Sequence, residues 1–258
     1  MTALAEQLVA LSQDGIWVIA LVFVRISAAM ALLPAFGEQV TPMRVKLAAA
    51  IAFALIVTPA VMPHMAQAYA QQGWVSMLAT EVTAGLAIGI LFRLFVIALQ
   101  IAGTVAAQAT SLSQIFGGGL GTEPQPAMAT LLVVAGLCLA VMAGLHVRVA
   151  EALIMSYEVF PAGQSVLAAD LTRWGIAQIA QAFSLGLTLA MPFLIASAIY
   201  NLALGAINRA MPQLMVALVG APAISLGGLV LLMLVAPAMI SVWLAVFFDA
   251  IQMQPGLP

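Results

Sequence analysis

The sequence predicts an all-α, polytopic integral membrane protein of about six hydrophobic helical blocks, several of them kinked or broken, with a helical hairpin at the C-terminus. Three observations carry that prediction. Between Trp174 and Phe248 there is a single charged side chain, Arg209, and a soluble domain could not leave so long a stretch without charges on its solvated face. Hydrophobic residues make up 65% of the 258 and charged ones 6%, with a mean hydropathy of +1.18. Such values belong to membrane proteins and leave no room for a separate soluble domain. The apolar runs also reach or exceed the roughly 20 residues that a helix needs to cross a hydrocarbon core of about 30 Å.

The first block runs from Ile16 to Phe36 and is interrupted by Arg25. No Lys or Arg stands between Met1 and Gln7, so a cleaved leader with a basic start is not expected and the block should be retained. Val45 to Met62 is the second, where Thr58-Pro59 and Pro63 should end the helix. The third, from Trp74 to Ile101, contains Glu81 and Arg93 and fades into the polar run Gln108 to Gln114, so its helix can continue beyond the most apolar part until Gly117-Gly118-Gly119 stops it. From about Ala127 to Leu145 lies the fourth. The turns after it are amphipathic, with Val149, Ala150, Leu153, Ile154 and Tyr157 opposite Arg148, Glu151 and Glu158, and Pro161 ends them. The fifth, Gly175 to about Leu204, should kink at Pro192, which cannot donate to the ladder and clashes with the preceding turn.

Ala210 to Phe248 is uncharged and, as one helix, would be about 58 Å long, almost twice the hydrocarbon thickness. Pro222, Gly227-Gly228 and Pro237 are the expected breaks, giving a short segment near Gln213 to Ser225 and a full-length one from Leu229 to Phe248, folded as a hairpin. Counting Lys and Arg in the loops puts Arg44, Lys46 and Arg209 on one side and Arg148 and Arg173 on the other. A bias that small does not orient six independent spans, and a subunit buried in a larger assembly need not obey a lipid-based rule.

Composition also narrows function. The net charge is −2 and there is no basic cluster, so nucleic-acid binding lacks an electrostatic basis. The chain has no Gly-rich phosphate loop, and His64 and His146 each stand alone, away from metal-ligand spacing, so neither a catalytic centre nor a cofactor is expected. Cys138, the single cysteine, is expected to pack in the core. Arg25, Glu81 and Arg93 are the intramembrane charges. An unpaired guanidinium near mid-span costs at least about 2.5 to 3.5 kcal/mol, so Arg25 needs a partner and Glu81 is the natural candidate. A structural ion pair, an ion relay and contact with another subunit are all compatible with these residues.

A second candidate site joins Gln108, Ser111, Ser113, Gln114 and Phe116 to Gly117, Gly118 and Gly119. It is either an ordinary interhelical loop or a pliable constriction beside an aqueous path, since irregular polar backbone at membrane depth is tolerated only inside protein or against water. Asn201, Asn208, Arg209, Pro212 and Gln213 form a third set. Pro212 is placed to start the next helix, with Arg209 satisfying carbonyls or a neighbouring subunit.

The stretch Asn201-Leu-Ala-Leu-Gly205-Ala-Ile-Asn208-Arg209-Ala-Met-Pro212-Gln213, running on through Gly220-Ala-Pro222, resembles the signature of the FliR family of flagellar export-apparatus proteins. Thr41-Pro42-Met43-Arg44-Val45-Lys46-Leu47 and Arg25 also match, and the resemblance covers essentially the whole chain. It implies a subunit of the type III export gate in the bacterial inner membrane, at the flagellar basal body. That gate passes unfolded proteins, is assembled with FliP and FliQ, and is contacted by FlhB and FlhA. It further implies a FliP-like part, about 1–205, and a FliQ-like hairpin, 206–258, with the loop matching Ala109 to Gln125 helping to close the channel. The homologous injectisome subunit is the nearest alternative. A small-molecule secondary transporter is the other, favoured by Pro192, Pro222 and Pro237 but disfavoured by the lack of an internal repeat.

Overall fold

The structure is a computed structural model that describes residues 2–34, 41–69, 73–110, 127–164, 168–211 and 216–252. These residues form helices α1 (Thr2–Leu32), α2 (Met43–Tyr69), α3 (Trp74–Thr110), α4 (Ala127–Met142), α5 (Leu145–Val159), α6 (Ala168–Ala210) and α7 (Val216–Ile251), with no strand among them. Five helices are long and apolar enough to cross a membrane, or six if the α4/α5 pair, bent by 77°, is taken as one broken span. The six hydrophobic blocks of the sequence are therefore α1, α2, α3, α4 with α5, α6 and α7.

Two helix ends differ from expectation for one reason. α2 runs on past Pro59 and Pro63 to Tyr69, and α7 is continuous through Pro222, Gly227-Gly228 and Pro237. A proline removes one ladder bond, and a glycine costs about 1 kcal/mol in a helix. Opening the backbone in an apolar setting exposes several polar groups at several kcal/mol each, so the helix persists. Thr58 and Thr188, just ahead of Pro59 and Pro192, turn their hydroxyls back onto Ala54 O at 2.6 Å and Ser184 O at 2.8 Å, a common way of satisfying a polar group inside such a helix. The C-terminal hairpin is consequently made by α7 with α6, not within the last block, and the Tyr200 hydroxyl donates to the Gly220 carbonyl across it. The break that does occur, between α4 and α5, is at Gly144, whose φ of 88° is a left-handed conformation that glycine adopts without strain.

The chain divides into two compact units. The first comprises 1–94, 141–178 and 247–258, and the second 95–140 and 179–246. In the first, α1, α2, α5 and the start of α3 surround Val22, Ile26, Ile88 and Phe92, with Phe247 edge-on to Phe92 at 5.9 Å. As the sequence predicts, α5 buries Val149, Leu153 and Tyr157 and turns Glu151 and Glu158 outward. In the second unit Trp243 is fully buried and its indole N–H donates to Phe95 O at 2.7 Å, tying α7 to α3. Cys138, expected in the core, instead faces outward on α4, whose buried side is Ala129, Leu132, Gly136 and Ala140. An apolar run marks a membrane helix but does not say which of its sides packs on protein.

Candidate functional site

The first unit holds a closed polar cluster in an otherwise apolar interior. Arg25 on α1 and Glu81 on α3 are 1% and 0% exposed. Arg25 Nε donates to Glu81 Oε2 at 2.6 Å and Nη2 to Oε1 at 3.0 Å, a bidentate pair. Two further acceptors come from the end of α5 and the residue after it. Nη1 donates to Ser156 Oγ at 3.1 Å and Nη2 to the Phe160 carbonyl at 3.0 Å. Ser156 can accept because its own proton goes to Leu153 O, 2.6 Å away. The Tyr157 hydroxyl donates to Glu81 Oε2 at 3.2 Å, and its ring lies 3.6 Å below the guanidinium carbon. The charge is thus covered on its edge by acceptors and on its face by a π-system.

Local sequence explains how α1 and α3 come close enough. Gly85 and Gly89 lie one and two turns beyond Glu81, and a Cβ on Gly85 would overlap the Arg25 carbonyl. At Gly89 it would stand 2.6 Å from the Ala29 carbonyl. Small residues at this spacing let two membrane helices touch along their backbones. Glu81, Gly85 and Gly89 therefore form one stripe, in which the glycines set the distance and the carboxylate uses it. Buried, with each nitrogen of the guanidinium and both carboxylate oxygens hydrogen-bonded, and linking three elements, the cluster is built as a clamp. It offers no open side from which water or an ion could exchange.

The other candidates are not drawn into this cluster. Arg93 faces outward on α3, and among the described residues it has neither an ion pair nor a hydrogen bond. Gln108 faces outward near the end of α3. Ser111, Ser113, Gln114, Phe116, Gly117, Gly118 and Gly119 lie outside the described residues, as do Pro212 and Gln213. Asn201, Asn208 and Arg209 are all outward on α6. Sequence reasoning missed Ser156 and the Phe160 carbonyl as Arg25 acceptors and read Tyr157 only as apolar surface. The G-x-x-x-G spacing of Gly85 and Gly89 was a usable signal for the close crossing, whereas nothing in the sequence announces a backbone carbonyl as a ligand.

The second unit contains a cleft of about 280 Å³ lined by Thr110, Ser197, Tyr200, Ile224, Leu231 and Leu234. It is mostly apolar, with hydroxyls as its only side-chain polar groups among these residues.

Residues 16–250 match the sequence model of the bacterial export proteins, family 1. The chain is 34% identical over 230 residues to the flagellar biosynthetic protein FliR of Caulobacter vibrioides, an alignment covering 88% of this chain and 92% of that one. It is 27% identical over 220 residues to the flagellar biosynthetic protein FliR of Pectobacterium carotovorum subsp. carotovorum, covering 83% and 82% respectively.

Proposed function

Because this chain belongs to family 1 of the bacterial export proteins and is a FliR-type subunit of the flagellar type III export gate, we propose that it forms part of the conduit for unfolded protein, with segment 109–125 lining or closing the path. The observation that supports this is the anchoring of that segment's flanks within the second unit. Thr110, the last residue of α3, is buried, and Ser225 donates to its carbonyl at 3.4 Å. Gly228 comes so close that a Cβ there would stand 2.6 Å from the Thr110 side chain. On the far side Ala129, in the first turn of α4, is fully buried against Gly103. Small polar side chains and glycines tied down at both flanks suit a constriction that opens without detaching.

In this proposal the chain works in the bacterial inner membrane, in a hetero-oligomeric gate with FliP and FliQ contacted by FlhB and FlhA. Residues 1–205 supply a FliP-like part, and 206–258 bring α7, which completes a FliQ-like hairpin by folding back on α6. Outward-facing Asn201, Asn208 and Arg209 are surfaces offered to those neighbours. Its contribution is structural and gating, not catalytic, and needs no cofactor.

The test uses the assembled complex in a Cys138→Ser background, since Cys138 is outward-facing. Deleting 117–119 should raise ion leak, because a closed gate must exclude water and small ions. Single cysteines along 111–125 should react with aqueous thiol reagents. If none reacts and the deletion leaves both leak and export unchanged, the segment is a passive connector.

A further inference from the structure

We propose that Ser225 and Gly228 of α7 are positioning residues of the export gate: they seat the last turn of α3, and the α6/α7 hairpin thereby sets where the conduit segment begins. This rests on the reading of 109–125 given above. Its own ground is the end of α3. The last four carbonyls of a helix have no partner within it, and the last turn of α3 holds no basic side chain to meet them. Thr110 turns its hydroxyl back onto Ala106 O at 2.9 Å. Its own carbonyl is met from another helix, by the Ser225 hydroxyl at 3.4 Å. Gly228, three residues further along α7, lies so close that an added Cβ would stand 2.6 Å from both Cβ and Cγ2 of Thr110. α7 thus supplies the cap and the seat that α3 lacks.

Helix register gives this contact its mechanical meaning. The Trp243 indole holds Phe95 O, and fifteen residues separate Phe95 from Thr110 just as fifteen separate Gly228 from Trp243. The two helices therefore run antiparallel and stay in step for about 22 Å. α6 keeps the same step, with Gly186 against the Ala98 carbonyl and Ile101, and Ser197, eleven residues on, in the cleft that Thr110 lines. At this level α3 ends and the hairpin does not. α6 continues to Ala210 and α7 starts at Val216, an overhang of about 18 to 20 Å at 1.5 Å per residue. Tyr200 and Leu204 close the overhang against Gly220, and Asn201, Asn208 and Arg209 face outward on it. A push on that arm travels along continuous helix to Gly228, where it meets Thr110.

The cleft of about 280 Å³ beside Thr110 gives the seat room to shift, because Ala196, Ala223, Gly227 and Gly228 are too small to fill it. The hydroxyls that line it donate within their own helix or hairpin: Ser197 to Leu194 O, Tyr200 to Gly220 O and Thr110 to Ala106 O. None of these bonds ties Thr110 to the hairpin. Shape at Gly228 and one long bond from Ser225 hold it there, which makes a seat definite in position and weak in bonding.

The experiment takes the full chain, in the complex with which it purifies, into vesicles and reads ion leak beside recovery of the partner subunits. Gly228→Ala must part α7 from the end of α3 by about 1 Å, since carbon atoms in contact stand about 3.5 to 4.0 Å apart. Leak should rise about tenfold with partner recovery unchanged. Adding Thr110→Gly, which takes away the carbons that the new methyl meets, should bring leak back down. Ser225→Ala loses only a long bond and should raise leak about twofold, whereas Ser225→Thr should not. Gly227→Ala, with nothing within 4 Å of the added Cβ, should leave leak at its starting level. Deletion of 117–119 separates this proposal from the reading beneath it. If the deletion raises leak while Gly228→Ala and Ser225→Ala do not, the segment keeps its role and the seat is overturned. If the deletion is silent as well, the reading of 109–125 has failed and takes the seat with it. A rise that Thr110→Gly does not reverse, or that Gly227→Ala shares, also overturns the proposal. Should Gly228→Ala lose its partners, Ser225→Ala decides, and unchanged leak there overturns it.

Discussion

Replacing Glu81 by Gln leaves a guanidinium in the interior of the first unit with no counter-charge. The two bonds it weakens, at 2.6 and 3.0 Å, are of the charged kind worth about 1.5 to 3 kcal/mol each. Removing one partner of a buried pair typically costs about 3 to 5 kcal/mol. Ser156 Oγ, the Phe160 carbonyl and the Tyr157 ring continue to hold Arg25, which places the expected loss near the lower bound, about 3 kcal/mol, or roughly 150-fold in the folding equilibrium. Arg25→Met should cost as much or more, since it leaves a buried carboxylate with only the Tyr157 hydroxyl. Arg25→Met with Glu81→Leu removes both charges together, and its loss should fall short of the summed single losses by about 2 kcal/mol or more. Unfolding in mixed micelles, followed by tryptophan fluorescence, measures all three. Losses that add to within about 0.5 kcal/mol would show that the two side chains are not energetically coupled, and the clamp argument would fail. Exchanging the charges should not restore stability, because a carboxylate at position 25 would face the Phe160 carbonyl.

Tyr157→Phe removes one hydrogen bond to Glu81 and keeps the ring under Arg25, so it should cost about 1 kcal/mol, whereas Tyr157→Leu should cost about 1 to 2 kcal/mol more by removing a desolvated cation–π contact; the same unfolding assay separates them. Gly85→Val must displace the α1 backbone, and its yield of monodisperse protein on gel filtration should collapse. Gly205→Ala, with nothing within 4 Å of the added Cβ, should be neutral or stabilising by up to about 1 kcal/mol. Arg209→Ala should reduce co-purification of the partner subunits with little change in the stability of this chain, since the side chain is outward at the end of α6; full partner recovery with intact export would leave Arg209 a plain surface charge.

Legibility differed from element to element. That the chain is helical and embedded in a membrane follows from composition, because nothing but hydrocarbon or protein can solvate the uncharged stretch from Trp174 to Phe248 apart from Arg209. The pairing of Arg25 with Glu81 was legible for the same kind of reason: a charge in so apolar a setting requires its opposite, and the six hydrophobic blocks together hold one carboxylate, Glu81. Family membership was legible from Asn201 to Gln213, where polar residues are scarce enough for their spacing to be distinctive.

What the chain's own letters could not determine was the outcome of competition between local and non-local terms. Proline and glycine read as helix ends in α2 and α7 because local propensity disfavours them by one to a few kcal/mol, but the cost of exposing backbone in an apolar surrounding is larger and belongs to the environment. Which side of α4 is buried, and hence that Cys138 faces outward, depends on Gly103 and Leu99 meeting that helix, a fact of packing between segments. The acceptors at Ser156 and Phe160 were hidden for a related reason, since they lie 131 and 135 positions from Arg25 and one of them is a backbone carbonyl common to every residue. Sequence by itself thus determined the solvent this chain lives in and the charges that must be paired there. Tertiary structure alone decided where the helices stop, which faces meet and what completes the pair, because those depend on contacts between parts of the chain that carry no mark of each other.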